Sequence, residues 1–167
     1  MTAKSIPPGS SPIRVYNMSK ILVIQGPNLN LLGQREPNWY GKRTLEELHH
    51  ELKQQASSLG HELETFQSNS ESKIVDYIQA GHKNKIDFIL LNAAGLTHTS
   101  VSIRDALSAM QIPFIDIHIT NIYAREPFRR QSLMSDIALG SIAGLGTAGY
   151  GFALQSAHQY LSTPKLV

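Results

Sequence analysis

The chain has 167 residues, of which 41% are apolar and 17% charged, and its formal net charge is only +2. This is the composition of one ordinary globular domain, which at this length buries a substantial core without disulfides or metal. The absence of cysteine excludes disulfide frameworks, thiolate zinc sites and a catalytic cysteine. Nucleic acid is not an expected partner, because the basic residues form only one local group, Arg125, Arg129 and Arg130.

The first 19 residues are rich in proline and serine and contain no apolar stretch of the kind found in signal peptides. We predict that residues 1–19 form a flexible tail and that residues 20–167 form a single α/β domain. No segment approaches the roughly 18 apolar residues of a membrane span, so a membrane partner is not expected either. The expected location is the cytoplasm.

Short apolar runs alternate with amphipathic stretches of helical length along the rest of the chain. This alternation predicts a parallel sheet covered by helices on both faces, with ligands bound beyond the carboxyl ends of the strands. The predicted strands are 21–25, 61–67, 88–92, 114–119 and 141–145. Predicted helices begin at Thr44, at Ser70 and at Thr99 or Ser100, and two more follow: a shorter one over Leu133–Leu139 and a last one through Tyr150–Leu161.

The connection after the first strand is about 18 residues long, where two to six residues are usual. It contains Arg35 and Tyr40. Long ordered loops at this end of a sheet are commonly lids over a ligand site. The alternative is a surface excursion with Trp39 and Tyr40 folded back onto the core, and the loop by itself does not decide between them.

Polar residues follow the third and fourth strands. Asn92 ends an apolar strand and is followed by a turn of small residues and His98, which is typical of a ligand site or simply of a helix cap. In the fourth strand Asp116, His118 and Thr120 alternate with apolar residues and therefore share one face. A lone histidine is more often a core residue than a catalyst, but one beside the predicted cleft favours acid–base chemistry.

Arg125 and Arg129 lie four residues apart around Pro127, which suits the first turn of a helix. This spacing predicts an anion clamp, and a solvated basic face is the alternative. Residues 144–149 match the dinucleotide fingerprint G-x-G-x-x-G, but the chain ends 18 residues later, before a complete dinucleotide unit. We therefore interpret these glycines as a tight, closely packed turn. No histidine spacing indicates a metal site.

Several motifs in order resemble the type II 3-dehydroquinate dehydratases: GPNLNLLG-x-REP-x-x-YG, FQSNSE, LNAAGLTHTS-x-x-IRDAL, IDIHITN-x-x-AREPFRR and GLG-x-x-GY. The resemblance runs from about Ile21 to Leu161. It implies a single-domain, flavodoxin-like three-layer α/β sandwich with a five-stranded parallel sheet. It also implies a lyase that converts 3-dehydroquinate to 3-dehydroshikimate by anti elimination through an enolate, without any cofactor or metal.

The resemblance further implies four catalytic residues. Tyr40 would be the base that removes the C2 proton, and Arg35 would keep it ionised. His118 would be the acid that protonates the departing C1 hydroxyl. Asn92 would position a water that stabilises the enolate.

The remaining residues implied by the resemblance bind substrate, and one of them acts across a subunit boundary. Asp105 would reach into the site of a neighbouring subunit, because family members form trimers and usually a dodecamer of four trimers. The others would hold the substrate's hydroxyls and carboxylate or line the site: His98, Arg129, the backbone of Ile119 and Thr120, Asn28 and Arg125.

Three positions depart from the family pattern. Gln25 stands where asparagine is usual, Ala94 where glycine is typical, and Asp116 where glutamate is common. Because aspartate is one methylene shorter, we expect its hydrogen bond to His118 to need a water or a small shift, and Ala94 to alter the turn behind Asn92. No lysine falls at a strand's carboxyl end, which disfavours the Schiff-base chemistry of the type I enzymes.

Two alternatives to an active dehydratase remain at this stage. One is a flavodoxin-like binding or receiver module on the same sheet, although the first strand lacks a receiver's acidic cluster. The other is an inactive structural homologue, although Arg35, Tyr40, Asn92 and His118 are all present.

Overall fold

The computed structural model describes residues 18–34 and 43–163. The tail predicted over residues 1–19 lies, apart from its last two residues, outside the described ranges. Within these ranges strands and helices alternate in the following order: β1 (Lys20–Gln25), α1 (Leu45–Ser58), β2 (Glu62–Gln67), α2 (Glu71–Gln79), β3 (Phe88–Asn92), α3 (Val101–Met110), β4 (Phe114–His118), β5 (Gly140–Ala143) and α4 (Ala148–Ser162).

The five strands form one parallel sheet in the order β2-β1-β3-β4-β5. This is a flavodoxin-like order, in which the switch in strand order falls between β1 and β3. The last residues of these strands are paired, because Gln25 of β1 lies opposite Asn92 of β3. The predicted fold class is therefore confirmed, and the register brings the polar strand ends to one edge of the sheet.

Helices cover both faces of the sheet. On one face α1 and α4 pack against β1, β3 and β4, and on the other face α2 and α3 pack against the same strands. Strands β3 and β4 are buried along their whole length, as expected for central strands of a two-sided sheet. None of the helices in the described ranges is long and apolar enough to cross a membrane.

The helix starts follow the predicted capping chemistry. Thr44 forms a capping box with Glu47 in front of α1, and Ser70 accepts a hydrogen bond from a backbone N–H in the first turn of α2. For α3 the cap is Ser100 rather than Thr99, since the Ser100 hydroxyl accepts the N–H of Ile103 over 2.9 Å.

The short helix predicted over Leu133–Leu139 is wrong: the segment is a series of turns and bends. Its carbonyls are used by other groups, because Arg104 Nη1 donates to the Leu133 carbonyl over 2.6 Å and also pairs with Asp136. The Ser132 hydroxyl accepts the Met134 N–H over 3.1 Å. Only one turn forms, at the Met134 carbonyl, because the Leu133 carbonyl accepts from Arg104 and the Leu139 N–H donates to the Phe114 carbonyl over 2.9 Å.

Two glycines bring backbones close together around the sheet edge. A Cβ on Gly26 would lie 2.3 Å from the Ala93 carbonyl oxygen, so only glycine lets the chain leaving β1 approach the end of β3. Gly144 has a φ of +86°, and its N–H donates to the His118 carbonyl over 3.2 Å. The glycine-rich stretch is thus the tight turn that we predicted, and it ties the end of β4 to the start of α4.

Candidate active site

A cavity of about 230 Å³ opens at the carboxyl ends of β1, β3 and β4, where the strand order switches. Asp105 is exposed on α3 and is not part of its wall. Arg35 and Tyr40 lie outside the described residues. All the other residues predicted for the site line this cavity: Asn28, Asn92, His98, His118, Ile119, Thr120, Arg125 and Arg129.

His118 ends β4 and makes a hydrogen bond with Asp116 two residues earlier. Its Nε2 lies 2.8 Å from Oδ2 of Asp116, and the two side chains are 6% and 0% exposed. Ser132 donates a second hydrogen bond to the same oxygen over 2.7 Å. Because an ionised carboxylate only accepts, His118 carries a proton on Nε2, and Nδ1 is the ring nitrogen left for chemistry.

Asn92 ends β3, and both ends of its amide have partners. Its Oδ1 accepts the backbone N–H of Ala94 over 3.1 Å, and its Nδ2 donates to the Tyr150 hydroxyl over 2.7 Å. Tyr150, on α4, in turn donates to Oε1 of Gln25 over 2.7 Å. The amide is therefore held in one orientation at the cavity wall.

His98 closes a short 3-10 helix over Ala94–His98. Its Nδ1 lies 2.6 Å from the Gln131 carbonyl oxygen, which can only accept, so Nδ1 is the protonated nitrogen. Nε2 is then the ring nitrogen that can accept a hydrogen bond from a hydroxyl in the cavity.

The two arginines lie around a single 3-10 turn over Pro127–Arg129, with the proline at its start as predicted. Arg125 donates to the Thr120 hydroxyl, and Arg129 makes two hydrogen bonds to Glu126, of 2.9 and 2.7 Å. The hydrogen bond from Arg129 lowers the pKa of Glu126 to about 2. Both arginines line the cavity, which favours the anion clamp over a purely solvated basic face.

The loop after β1 supplies the opposite wall. Asn28 adopts a left-handed conformation with a φ of +67°, and its N–H donates to Oδ1 of Asn69 over 2.9 Å. A short 3-10 helix over Leu29–Leu31 follows it. This wall is partly apolar, as is usual for a site that binds a small molecule.

The three departures from the family pattern have separate outcomes. Asp116 reaches His118 directly, so the expected water or shift is not needed. Ala94 has a φ of +53°, a left-handed conformation that favours glycine, and the turn still forms because its N–H bonds to Asn92. Gln25 accepts the hydrogen bond of Tyr150, although its own Nε2 has no partner in the part of the chain that the structure describes.

Sequence reasoning missed two residues that support the site. Ser132 was not singled out at all, and Tyr150 was predicted only as a residue of the last helix. Their partners are 16 and 58 residues away, so no local spacing indicates the contacts. The available signal was chemical, since a buried hydroxyl nearly always has a hydrogen-bond partner.

No group of three or more acidic or histidine side chains within residues 18–34 and 43–163 could hold a metal ion. The chemistry open to these residues is proton transfer at His118, hydrogen-bond donation at Asn92 and anion binding at the two arginines.

The sequence model of the family "Dehydroquinase class II" matches residues 19–158. A 3-dehydroquinate dehydratase of Enterobacter sp. is 56% identical over 142 residues, which are 85% of this chain and 94% of that protein. The 3-dehydroquinate dehydratase 1 of Pseudomonas putida is 51% identical over 145 residues, covering 87% of this chain and 96% of that protein.

The comparison with solved structures identifies the same family. The crystal structure of the type II dehydroquinase from Propionibacterium acnes matches with a TM-score of 0.80 at 39% identity, covering 85% of this chain and 98% of that one. The matched relatives are named as enzymes, which disfavours a binding or receiver module. The chain belongs to the class II dehydroquinase family.

Proposed function

We propose that this protein is a lyase that dehydrates 3-dehydroquinate to 3-dehydroshikimate, without a cofactor, by anti elimination through an enolate. Membership of the class II dehydroquinase family supports the activity. The single observation that carries it is the cavity at the strand ends, where the buried His118–Asp116 pair, the Asn92 amide and two arginines surround one small volume.

His118 is the general acid in this proposal. In its protonated form it delivers the Nδ1 proton to the departing C1 hydroxyl, while Asp116 stabilises the imidazolium and fixes the ring. Asn92 contributes a hydrogen bond to a water that stabilises the enolate oxygen. Both groups are almost fully buried, so their orientation is set before substrate arrives.

Substrate binding uses the other residues of the cavity wall. Arg129, together with the backbone of Ile119 and Thr120, holds the substrate carboxylate, and His98 accepts from a hydroxyl. Asn28 and Arg125 complete the wall. A planar guanidinium is well suited to a carboxylate because it can donate two parallel hydrogen bonds.

Tyr40 is the proposed base, with Arg35 as the group that ionises it. A tyrosine of pKa about 10 is only roughly 0.1% ionised at neutral pH, and lowering this value by two to three units requires about 3–4 kcal/mol. One guanidinium about 4 Å away supplies roughly this amount at an effective dielectric near 20. Since base and acid lie on different segments, turnover requires the loop that carries Tyr40 to close over the cavity.

The proposed assembly is a dodecamer of four trimers. Asp105 is exposed on α3 away from its own cavity, as required of a residue that reaches a neighbouring subunit. Large apolar side chains are also exposed at Val101, Tyr123 and Phe128, and such surfaces are typical of subunit contacts. Light scattering on the purified protein tests the assembly. The proposal covers either pathway role, aromatic biosynthesis or quinate catabolism, and the cytoplasmic location stays a prediction.

The activity is tested by adding 3-dehydroquinate and following the ultraviolet absorbance of the conjugated enone product. Borohydride added with substrate should leave the enzyme active, because no imine forms, and irreversible inactivation would contradict the mechanism. Tyr40→Phe should lose nearly all turnover while still binding substrate. Tyr160→Phe, at a partly exposed tyrosine of α4, is the matched control and should retain full activity.

A further inference from the structure

Three buried side chains from three different elements form one hydrogen-bonded chain beneath the cavity. Asn92 of β3 donates to Tyr150 of α4, and Tyr150 donates to Gln25 of β1, each over 2.7 Å. Asn92 is 4% exposed and the other two are 0% exposed. Of the three, only Asn92 lines the cavity. Tyr150 and Gln25 can therefore affect a ligand only through it.

The backbone N–H of Ala94 sets the direction of the hydrogen bonds that join Asn92, Tyr150 and Gln25. The Ala94 N–H can only donate, so the atom of Asn92 that it contacts must be the oxygen, and the other atom must be Nδ2. The Tyr150 hydroxyl consequently accepts from Asn92, and its own hydrogen must go to an acceptor. Oε1 of Gln25 is that acceptor. No donor in the chain faces another donor.

A rotated Asn92 amide would break this order at two places. Its NH₂ would face the Ala94 N–H, and its oxygen would take the place of the donor to Tyr150. In the orientation observed, one Nδ2 hydrogen is used by Tyr150, the second has no acceptor among the described residues, and Asn92 lines the cavity. The orientation thus gives the cavity a hydrogen-bond donor rather than an acceptor.

The Gln25 amide is only half satisfied in this arrangement. Its Nε2 is buried and finds no partner among the described residues, and a buried amide without a partner is unfavourable. Burial also raises the pKa of the Tyr150 hydroxyl above its ordinary value, so Tyr150 stays neutral and retains the proton that it donates to Gln25.

We propose that Tyr150 and Gln25 are positioning residues that lock the Asn92 amide with its remaining N–H available to the cavity, where it donates to the water that stabilises the enolate. This rests on the proposed dehydratase activity. A water whose oxygen accepts from Asn92 keeps both of its own hydrogens, so it can donate to the developing oxyanion and lower its energy. This series of hydrogen bonds from Gln25 through Tyr150 to Asn92, the Asn92 relay, therefore acts on the chemical step and not on substrate binding.

The kinetic test uses Tyr150→Phe, which removes only the relaying hydroxyl. We expect kcat to fall about 10-fold to 100-fold, less than the full loss of an oxyanion donor, while KM stays within about twofold. Tyr160→Phe on the same helix is the matched control, with kcat unchanged. Gln25→Met, which keeps the length but lacks the acceptor, should lower kcat in the same direction and by a smaller factor.

A double-mutant comparison separates positioning from a general structural effect. In an Asn92→Ala background, Tyr150→Phe should cause no further loss of kcat, because the only group through which it acts is gone. An equal loss in both backgrounds, or a kcat within twofold of wild type for Tyr150→Phe alone, would overturn the proposal.

A readout without turnover keeps this inference distinct from the proposed activity. In nitrogen-15 NMR spectra of the substrate-free protein, Tyr150→Phe should shift the Asn92 side-chain amide resonances and increase their hydrogen exchange. Unchanged Asn92 amide signals would overturn the relay, whatever the activity. A wild-type enzyme that shows the relay in these spectra but does not convert 3-dehydroquinate would instead overturn the proposed function.

Discussion

Replacing Asp116 with asparagine removes the charge beside His118 with little change in shape. Oδ1 of the new side chain can occupy the position of the present Oδ2 and accept from both Ser132 and His118. Its Nδ2 then takes the place of the carboxylate oxygen that has no partner among the described residues. Asp116→Asn is therefore a test of the charge itself, with the hydrogen-bond geometry retained.

The size of the effect follows from the 2.8 Å contact and from burial. A carboxylate and an imidazolium whose charges are about 4 Å apart attract each other by about 4 kcal/mol at an effective dielectric near 20. Part of this attraction is offset by the desolvation of both groups. A net loss of roughly 3 kcal/mol corresponds to a rate lower by about 10²-fold. We therefore expect Asp116→Asn to lower kcat by about 10²-fold to 10³-fold.

Steady-state conversion of 3-dehydroquinate, followed by enone absorbance, measures this loss. The unfolding free energy of Asp116→Asn should be measured at alkaline pH, where His118 is neutral, and should be unchanged or higher there, because only an unpaired buried charge has been removed. The matched control is Asp76→Asn, the same replacement on the exposed surface of α2, which should leave both quantities unchanged. A kcat of Asp116→Asn within about threefold of wild type would refute the role of the carboxylate in stabilising protonated His118.

Three further changes probe neighbouring features. Ser132→Ala leaves Asp116 with one donor fewer and should lower kcat/KM about 10-fold to 100-fold, since hydrogen bonds to charged groups contribute about 1.5–3 kcal/mol. Unchanged kinetics would contradict this. Ala94→Gly should raise the unfolding free energy, measured in urea, by about 0.5–1 kcal/mol. The reason is that the strain of a left-handed alanine exceeds the entropy that glycine adds to the unfolded chain, and a decrease would argue against strain at this turn. Burial, with a smaller contribution from Lys53, lowers the pKa of His49 to about 4, so the unfolded chain binds a proton that the folded protein does not between pH 6.5 and 4. The unfolding free energy should therefore fall by about 1–2 kcal/mol as the pH decreases through this window, a value reduced because the His49 side chain is partly exposed. His49→Gln should remove this pH dependence, and an unaltered pH dependence would assign it to other groups.

The fold could be predicted almost completely because its signals are local. Buried central strands are continuous apolar runs, as in β3, and the helix starts carry capping residues such as Thr44 and Ser100. The helix predicted over Leu133–Leu139 is wrong because Arg104 uses the Leu133 carbonyl and the Leu139 N–H bonds to the Phe114 carbonyl, which leaves a single turn between them. Apolar spacing does not report such competition from distant groups.

The cavity wall was predictable for a related reason. Parallel strands that end at one edge of a sheet bring their terminal residues together, so Asn92 and His118 converge whatever the rest of the chain does. His98 and the two arginines lie on connections whose shape the strand pattern does not determine. Local spacing indicated them as candidates but left a helix cap and a solvated basic face as alternatives, and the motif resemblance favoured the ligand site.

The residues that orient the side chains of the cavity wall could be predicted neither from strand periodicity nor from the motif resemblance. Ser132 and Tyr150 do not line the cavity, and each acts through one hydrogen bond to a buried polar group. Asp116 and Asn92 could be recognised in advance as polar groups on buried strands whose local partners, His118 and the Ala94 N–H, leave some of their hydrogen-bonding atoms unpaired. Their burial requires partners, because an unpaired buried polar group costs about 1–3 kcal/mol. The sequence therefore predicts that polar side chains from elsewhere in the chain bond to Asp116 and Asn92, but it does not identify them. Their identity depends on how α4 and the turn after Arg129 pack against the strand ends.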